Sequence, residues 1–399
     1  MKILFISTKG PLPTNDGHCL RTYNLLRQIA KHHEIYLLSF VKYQEEYDYV
    51  EELQQLCKHV EYFSIKENDS LSHNILSLAV NIFSAKPFVV QKYDTSEMRA
   101  SIKQLLFQEN IDLVHLDMLP LYCYRDLFSK IPIILNQHNI ESALLLRRVE
   151  AETNPLRKLF FATQQKRLEK FEKEALSGVD HVAVCSEQDM QLAKEYAPDI
   201  SISVIPNGVD LDFFQPSRKF EEELDSLVFV GGLNWYPNRE GMEWFDREIL
   251  PEINVLHPEI KVHLIGRSEK INWVHKEHFI EYGFVDDIRP YLEKSAVFIV
   301  PLRVGGGTRL KILDAMAMEK AIVSTTIGAE GLGVADGEEL ILADSASSFA
   351  KGVVTLLEDH KKRHQIAKKS RQFVLSAYKW ESIGSKLCQT YDDLISGER

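Results

Sequence analysis

Short runs of apolar, often β-branched residues alternate along the chain with longer stretches whose apolar positions recur every three or four residues. The short runs predict strands at 2–8 (KILFIST), 34–41 (EIYLLSFV), 112–116 (DLVHL), 131–136 (IPIILN), 180–185 (DHVAVC) and 201–206 (SISVIP). A second series follows at 226–231 (SLVFVG), 261–266 (KVHLIG), 278–283 (HFIEYG), 295–300 (SAVFIV) and 320–325 (KAIVST). Between them lie helical patterns such as 18–33, with Leu20, Tyr23, Leu26, Ile29 and Ala30 on one broad face. Strand–helix alternation of this kind predicts parallel sheets with helices on both faces. Several strands are apolar at nearly every position, as strands covered on both sides are.

The strand series restarts near residue 226, after the polar stretch 217-SRKFEEELDS-226. The expected architecture is therefore α/β: two Rossmann-like domains with parallel sheets facing each other across a cleft, ligands sitting at the carboxyl ends of the strands. The boundary falls close to 206-PNGVD-210, giving domains over 1–206 and 207–377. The segment 378–399 carries Trp380, Ile383, Leu387, Tyr391 and Leu394 at helical spacing and reads as a docking helix.

Composition narrows the function. The chain has 399 residues, 45% of them hydrophobic, and a net charge of −11, which argues against nucleic acid as the main partner. Five widely spaced cysteines without a C-x-x-C suggest neither a disulfide framework nor a zinc site, and no metal or cofactor is expected. The opening MKILFIS reads as a first strand rather than a signal peptide, and no apolar run approaches the ~20 residues that span a bilayer. A cytoplasmic location is expected. One segment, 144–170, interleaves Arg147, Arg148, Arg157, Lys158, Lys166, Arg167 and Lys170 with Leu159, Phe160 and Phe161. It fits peripheral contact with an anionic membrane as well as it fits an ordinary solvated helix.

The chemistry concentrates in 303-RVGGGTRLKILDAMAM-318. Gly305, Gly306 and Gly307 follow a strand, Thr308 is a candidate N-cap, and Arg309 and Lys311 occupy the first turn of the helix. Cations are unfavourable at that positive end of the dipole unless an anion joins them. Glycines before a helix N-terminus offer free N–H groups to a phosphate, and the two cations add charge-assisted bonds. The competing reading pairs Lys311 with Asp314 along the helix and leaves Arg309 solvated. Neither a Walker loop nor the G-x-G-x-x-G fingerprint is present, which disfavours ATPases and NAD-dependent oxidoreductases.

The stretch 303-RVGGGTRLKILDAMAMEKAIVSTTIGAEGL-332 resembles the donor-site signature of family-4 glycosyltransferases of GT-B fold, in a subgroup with a GGGTRLKILEAMA-type motif. Similar pieces recur in the family's order: 10–40, 203–216, 228-VFVGGLNWYPNREGMEWF-245, 262-VHLIGR-267 and 281-EYGFVDDIRPYL-292. The resemblance implies transfer of a sugar from a UDP- or GDP-sugar to a saccharide or lipid-linked acceptor, with retention and without a metal. It implies an acceptor-binding first domain, a nucleotide-binding second domain, and a final helix that crosses back to the first. The donor-binding residues it implies are Gly17, Gly231, Gly232, Asn234, Arg239, Gly266, Val285, Gly305, Gly306, Gly307, Thr308, Arg309, Lys311 and Asp314. His115 and His138, each near the end of a strand, are the catalytic candidates, to contact sugar hydroxyls.

The sequence departs from the family pattern in two places. In the family's Glu-x7-Glu motif the second Glu falls on Asp314 and the first, sugar-contacting one on Gly306. The usual cations after the first strand of the second domain fall near Gly232 and Asn238, so Arg309, Lys311 and Arg239 stand as their replacements. A nucleotide-sugar-binding protein without catalysis is the alternative, and Gly306 is what favours it. Glu141 is expected to cap the helix that follows it, Asp210 and Asp212 to shape a turn, and Asp286 and Asp287 to begin a helix.

Overall fold

The computed structural model describes residues 1–14, 16–65, 81, 84–267, 271–305 and 309–397. The chain divides into two units, one made of Met1–Pro206 with Trp380–Arg399, the other of Asn207–Lys379.

The first unit is a seven-stranded sheet in the order β3-β2-β1-β4-β5-β6-β7. Its strands are β1 (Lys2–Ser7), β2 (Glu34–Val41), β3 (His59–Ser64), β4 (Leu113–Asp117), β5 (Ile133–Gln137), β6 (His181–Val184) and β7 (Ile202–Val204). Every pairing is parallel. β1, β2, β4, β5 and β6 are buried along nearly their whole length, the reason they read as continuous apolar runs. β3 was not expected. It is an edge strand, half-buried and polar (HVEYFS), so it lacks the apolar run that marks the others.

Helix α1 (Gly17–Ile29) follows β1 and is capped by Asp16, whose side chain accepts from Cys19 N. It buries Arg21, Thr22, Asn24 and Gln28 besides its leucines, more than a one-faced helix would. Part of that cover is the terminal helix. Helices α2 (Glu141–Ala151) and α3 (Pro155–Gly178) form the 144–170 region.

The second unit is a six-stranded parallel sheet in the order β10-β9-β8-β11-β12-β13. Its strands are β8 (Glu223–Val230), β9 (Lys261–Ile265), β10 (Phe279–Gly283), β11 (Ser295–Val300), β12 (Ala321–Ser324) and the two-residue β13 (Ile341–Leu342). β13 also escaped the sequence reading, being too short to carry a pattern. Helix α4 (Tyr236–Trp244) follows β8, and helix α5 (Leu310–Ala317) follows β11. Apolar cores fill both faces of each sheet.

Helix α6 (Trp380–Ser396) belongs to the first unit although it follows the second in sequence. Its buried face is Trp380, Ile383, Leu387, Cys388 and Tyr391. Gly384 lets its backbone close on α1: a Cβ there would collide with Cβ of Gln28.

Candidate functional site

In both sheets the strand order reverses between the first strand and the fourth, which leaves a crevice at the carboxyl ends of those two strands. The chemistry-bearing side chains of each domain gather there.

In the second domain the crevice lies between the ends of β8 and β11. Gly231 and Gly266 end their strands at φ 152° and 136°. Both are excluded to larger residues by space as well. A Cβ on Gly231 would lie 2.6 Å from Nζ of Lys311 and 2.7 Å from Nδ2 of Asn238, and one on Gly266 would lie 2.6 Å from the Gly231 carbonyl carbon. The missing side chains make room for Lys311, whose Nζ donates to Oδ1 of Asn238 at 3.0 Å and sits 4.2 Å from the Phe229 ring centroid.

Lys311 does not pair with Asp314, as one reading of the sequence had it; no ion pair of Lys311 is found among the described residues. Burial, and then the neighbouring Arg309, push its pKa down to about 7. Arg309 is buried, stands at the cap position of α5, and lies beside Gly305 and against the Trp235 ring. Two cations at a helix N-terminus, one buried and one half-buried, repel one another and the dipole, a cost that a bound anion reverses.

Asp314, on the same helix, is pushed up to about 7 by burial and by Asp210. Asp210 itself shapes a turn, its Oδ1 accepting from the N–H groups of Asp212 and Phe213. Asn234 is exposed and lies over Gly232, and Arg239 and Val285 are half-buried. Asp287 accepts from Arg289 N at the start of a short helix. Gly306, Gly307 and Thr308 lie outside the described residues.

In the first domain the crevice lies between the ends of β1 and β4, and its centre is Asp117. That residue has no exposed surface. It accepts from Oγ1 of Thr22 at 2.6 Å and Nδ2 of Asn136 at 2.7 Å, and Nε2 of His138 stands 2.9 Å away. His18, the second residue of α1, brings its Nε2 to 3.6 Å. The His18 and His138 rings lie 4.6 Å apart. Burial alone would raise the Asp117 pKa, but His138, His115 and His18 outweigh it and hold the carboxyl well below its usual range. Burial, then His138, push His18 down to about 4, so it is neutral at pH 7. Met118, the next residue, holds a φ of 105°, a strained value for a residue with a side chain.

His115 is fully buried behind this group. It shares a face of β4 with Asp117, stacks on Phe5, and bonds through Nδ1 to the hydroxyl of Tyr391 at 2.7 Å. It therefore presents no atom to a ligand, whereas His138 and His18 stand at the end of the crevice. Gly17 is the first residue of α1. Glu141 does not cap α2. Glu172 of α3 accepts from the N–H groups of Glu141 and Ser142, because a carboxylate on the first helical residue cannot turn back to them. Burial, then the nearby Glu172, push Glu141 up to about 7.

Asp117 and His18 were not singled out from the sequence. The signal for Asp117 was its place at the end of a predicted strand at the switch point; the strand order, which sequence alone does not give, was needed to read it. Among the described residues there is no cluster of His, Cys, Asp or Glu built to hold a metal ion, and no helix is long and apolar enough to cross a membrane.

Residues 20–213 match the model of Glycosyltransferase Family 4, and residues 225–359 match that of Glycosyl transferases group 1. The chain is 23% identical to the lipopolysaccharide 1,2-N-acetylglucosaminetransferase of Salmonella typhimurium, over 62% of this chain and 70% of that protein. It is 23% identical to the UDP-Gal:alpha-D-GlcNAc-diphosphoundecaprenol alpha-1,3-galactosyltransferase of Escherichia coli, over 52% of this chain and 58% of that one. Among solved structures, sucrose-phosphate synthase from Thermosynechococcus elongatus superposes with a TM-score of 0.73 at 16% identity, covering 100% of both chains. Anabaena HepE in complex with UDP superposes with a TM-score of 0.68 at 16% identity, covering 98% of this chain and 100% of that one. Two parallel Rossmann-like sheets together with both family matches identify the chain as a member of the GT-B glycosyltransferases.

Proposed function

We propose that the protein is a retaining, metal-independent transferase of the family-4 subgroup with a GGGTRLKILEAMA-type motif. It moves a sugar from a UDP- or GDP-sugar to a saccharide or lipid-linked acceptor in the synthesis of a cell-surface polysaccharide or glycolipid. The second domain takes the donor and the first takes the acceptor. The observation that carries this reading is Lys311: a half-buried ammonium at a helix N-terminus, beside the buried cation Arg309 and with no carboxylate paired to it among the described residues. A diphosphate supplies the missing charge. The likeness to Anabaena HepE, whose structures contain UDP and UDP-glucose, supports the choice of ligand.

As the glycosidic bond breaks, charge grows on the leaving diphosphate. Arg309, Lys311 and the N–H groups at the start of α5 stabilise it in place, without having to reorganise. The close backbone at Gly231, Gly232, Gly266 and Gly305 lets the diphosphate reach them, and Gly306 and Gly307 join them as donor-binding residues. Asp314 holds the ribose, Val285 borders the base, and Asn234, Arg239 and Thr308 complete the donor contacts. In the first domain His18, neutral at pH 7, and His138 meet hydroxyls of the substrate, and Asp117 fixes their rings. His115 and Tyr391 brace Asp117 from behind. The acceptor proton passes to the leaving phosphate.

Incubation with labelled UDP- and GDP-sugars and a panel of saccharide and lipid-linked acceptors tests the reading. Transfer or donor hydrolysis that Arg309→Ala and Lys311→Ala abolish supports it. Binding of the nucleotide sugar without consumption supports the alternative, a non-catalytic binder, which Gly306 favours by standing where the family places a sugar-contacting Glu.

We also propose that the junction of α2 and α3 lies against an anionic bilayer. Leu146, Leu156 and Leu159 are 44%, 79% and 68% exposed there, next to the exposed cations Arg147, Arg148, Arg157 and Lys158.

A further inference from the structure

We infer that Trp235 and Tyr236 form an aromatic platform that binds the transferred sugar of the donor, a subsite of the second domain that rests on the nucleotide-sugar reading above. Both rings stand out of the fold at the start of α4, 49% and 53% exposed. They are held there by a short fixed turn. Leu233 is buried beneath it and donates its N–H to the Arg267 carbonyl at 2.8 Å, while the N–H of Trp235 bonds back to Gly232 at 3.3 Å. Two large rings kept half in water on a rigid turn contribute little to a core. They suit a ligand with an apolar face and a polar edge.

Their place relative to the cations selects the part of the ligand. The Arg309 guanidinium lies 5.9 Å from the Trp235 ring centroid, so a group attached to a phosphate held by Arg309 reaches the ring. A nucleotide sugar has two such groups, the nucleoside and the sugar. The sheet order β10-β9-β8-β11 separates two aromatic flanks. One is Phe284, which follows β10 and carries Arg267 over its ring at 5.5 Å. The other is Trp235 with Tyr236, after β8 and against Arg309. Asp314 and Val285, assigned to ribose and base, put the nucleoside toward the Phe284 flank. The sugar then falls to Trp235.

The C–H bonds on one face of a pyranose carry partial positive charge and pack on the negative face of an aromatic ring. A polar group to fix orientation is close by. Glu240 lies four residues after Tyr236, on the same side of α4. One of its oxygens accepts from Nε of Arg303 at 3.0 Å, and the other, buried, has no hydrogen-bond partner among the described residues. A sugar hydroxyl is the donor such an oxygen lacks. The platform also answers a question that Gly306 raises: the sugar is oriented by stacking where the family's carboxylate is absent.

Tryptophan fluorescence isolates the platform. Of the four tryptophans, Trp244, Trp273 and Trp380 are 5%, 9% and 3% exposed, so quenching by acrylamide reports on Trp235. The full-length protein is titrated with UDP, GDP, UDP-glucose and GDP-mannose, with affinities from calorimetry. The expected result is that a nucleotide sugar shields Trp235 and the matching nucleotide alone does not. Trp235→Leu then weakens the nucleotide sugar roughly three- to tenfold relative to the nucleotide, Trp235→Phe restores it, and Tyr236→Ala falls between. Equal shielding by the nucleotide alone overturns the proposal in favour of a base or phosphate on the ring. Tight binding of a nucleotide sugar with Trp235 still fully quenched also overturns it, and leaves the nucleotide-sugar reading intact. No binding of either nucleotide or either nucleotide sugar removes that reading and the platform with it.

Discussion

The two domains place their chemistry at the same point of the same topology and give it opposite sign. In the first, the crevice between strands one and four is built around a buried anion, Asp117, ringed by Thr22, Asn136, His18 and His138. In the second, the equivalent crevice is built around two cations, half-buried Lys311 and buried Arg309, with glycines in place of side chains. The topology decides where a ligand can sit; the residues at the strand ends decide what it can be. The two centres also differ in completeness. Asp117 is satisfied by its own domain, whereas Lys311 has one amide and one aromatic ring and no counter-charge among the described residues. In the proposed function the self-satisfied anion positions its neighbours, and the under-satisfied cation takes the ligand.

That difference can be broken at each end. Asp117→Ala strands the donors around it and is expected to cost about 3–5 kcal/mol of stability, whereas Lys311→Met removes a desolvated charge and leaves melting unchanged or raised. Calorimetric melting of both variants checks this, and the contrast fails if the two behave alike. Gly384→Val pushes α6 off α1 and is expected to cost about 1–3 kcal/mol. Because α6 braces Asp117 through Tyr391 and His115, the loss should appear in the first domain's transition and spare the second's.

pH sharpens the contrast further. In the first domain His18, at about 4 when folded against 6.5 unfolded, contributes stability that is lost as pH falls from 6.5 toward 4. Asp117, held below 3.8, contributes stability that is lost only below that value. The second domain behaves differently. Asp314, raised to about 7, costs stability as pH rises from 3.8 to 7, and Lys311, lowered to about 7, restores it as pH rises from 7 toward 10.5. The second domain should therefore melt lowest near pH 7 in the absence of nucleotide, and melting curves between pH 5 and 9 would show the dip. Lys311→Met should remove its alkaline side. The smallest effect is expected at the α2–α3 junction: Leu156→Asp with Leu159→Asp should lower co-sedimentation with phosphatidylglycerol vesicles and leave transfer to a soluble acceptor unaltered.

Much of the fold was legible in the sequence because buried parallel strands announce themselves as apolar runs; each of the eleven predicted strands has its counterpart. β3 was hidden because an edge strand is free to be polar, and β13 because two residues make no pattern. The proposed donor site was legible as a candidate because its glycines and cations lie within one short stretch of chain and because cations at a helix start contradict the dipole. The first domain's centre was not. Thr22, Asp117 and the pair Asn136 and His138 come from three separate stretches of the chain, and only the order of the strands brings them together. A histidine at a strand end drew notice for its chemistry, yet His115 is buried and the carboxylate two residues on holds the central place.

The under-satisfied cation of the second domain is proposed to bind the diphosphate. Calorimetric titration of UDP and GDP into the wild type, Lys311→Met and Asp117→Asn at pH 7 tests it directly. One nucleotide is expected to bind the wild type, Lys311→Met to weaken it about 10- to 100-fold, the loss of a charge-assisted bond of ~1.5–3 kcal/mol, and Asp117→Asn to leave it unchanged. Equal affinity for the wild type and Lys311→Met, or a loss as large in Asp117→Asn, would contradict it.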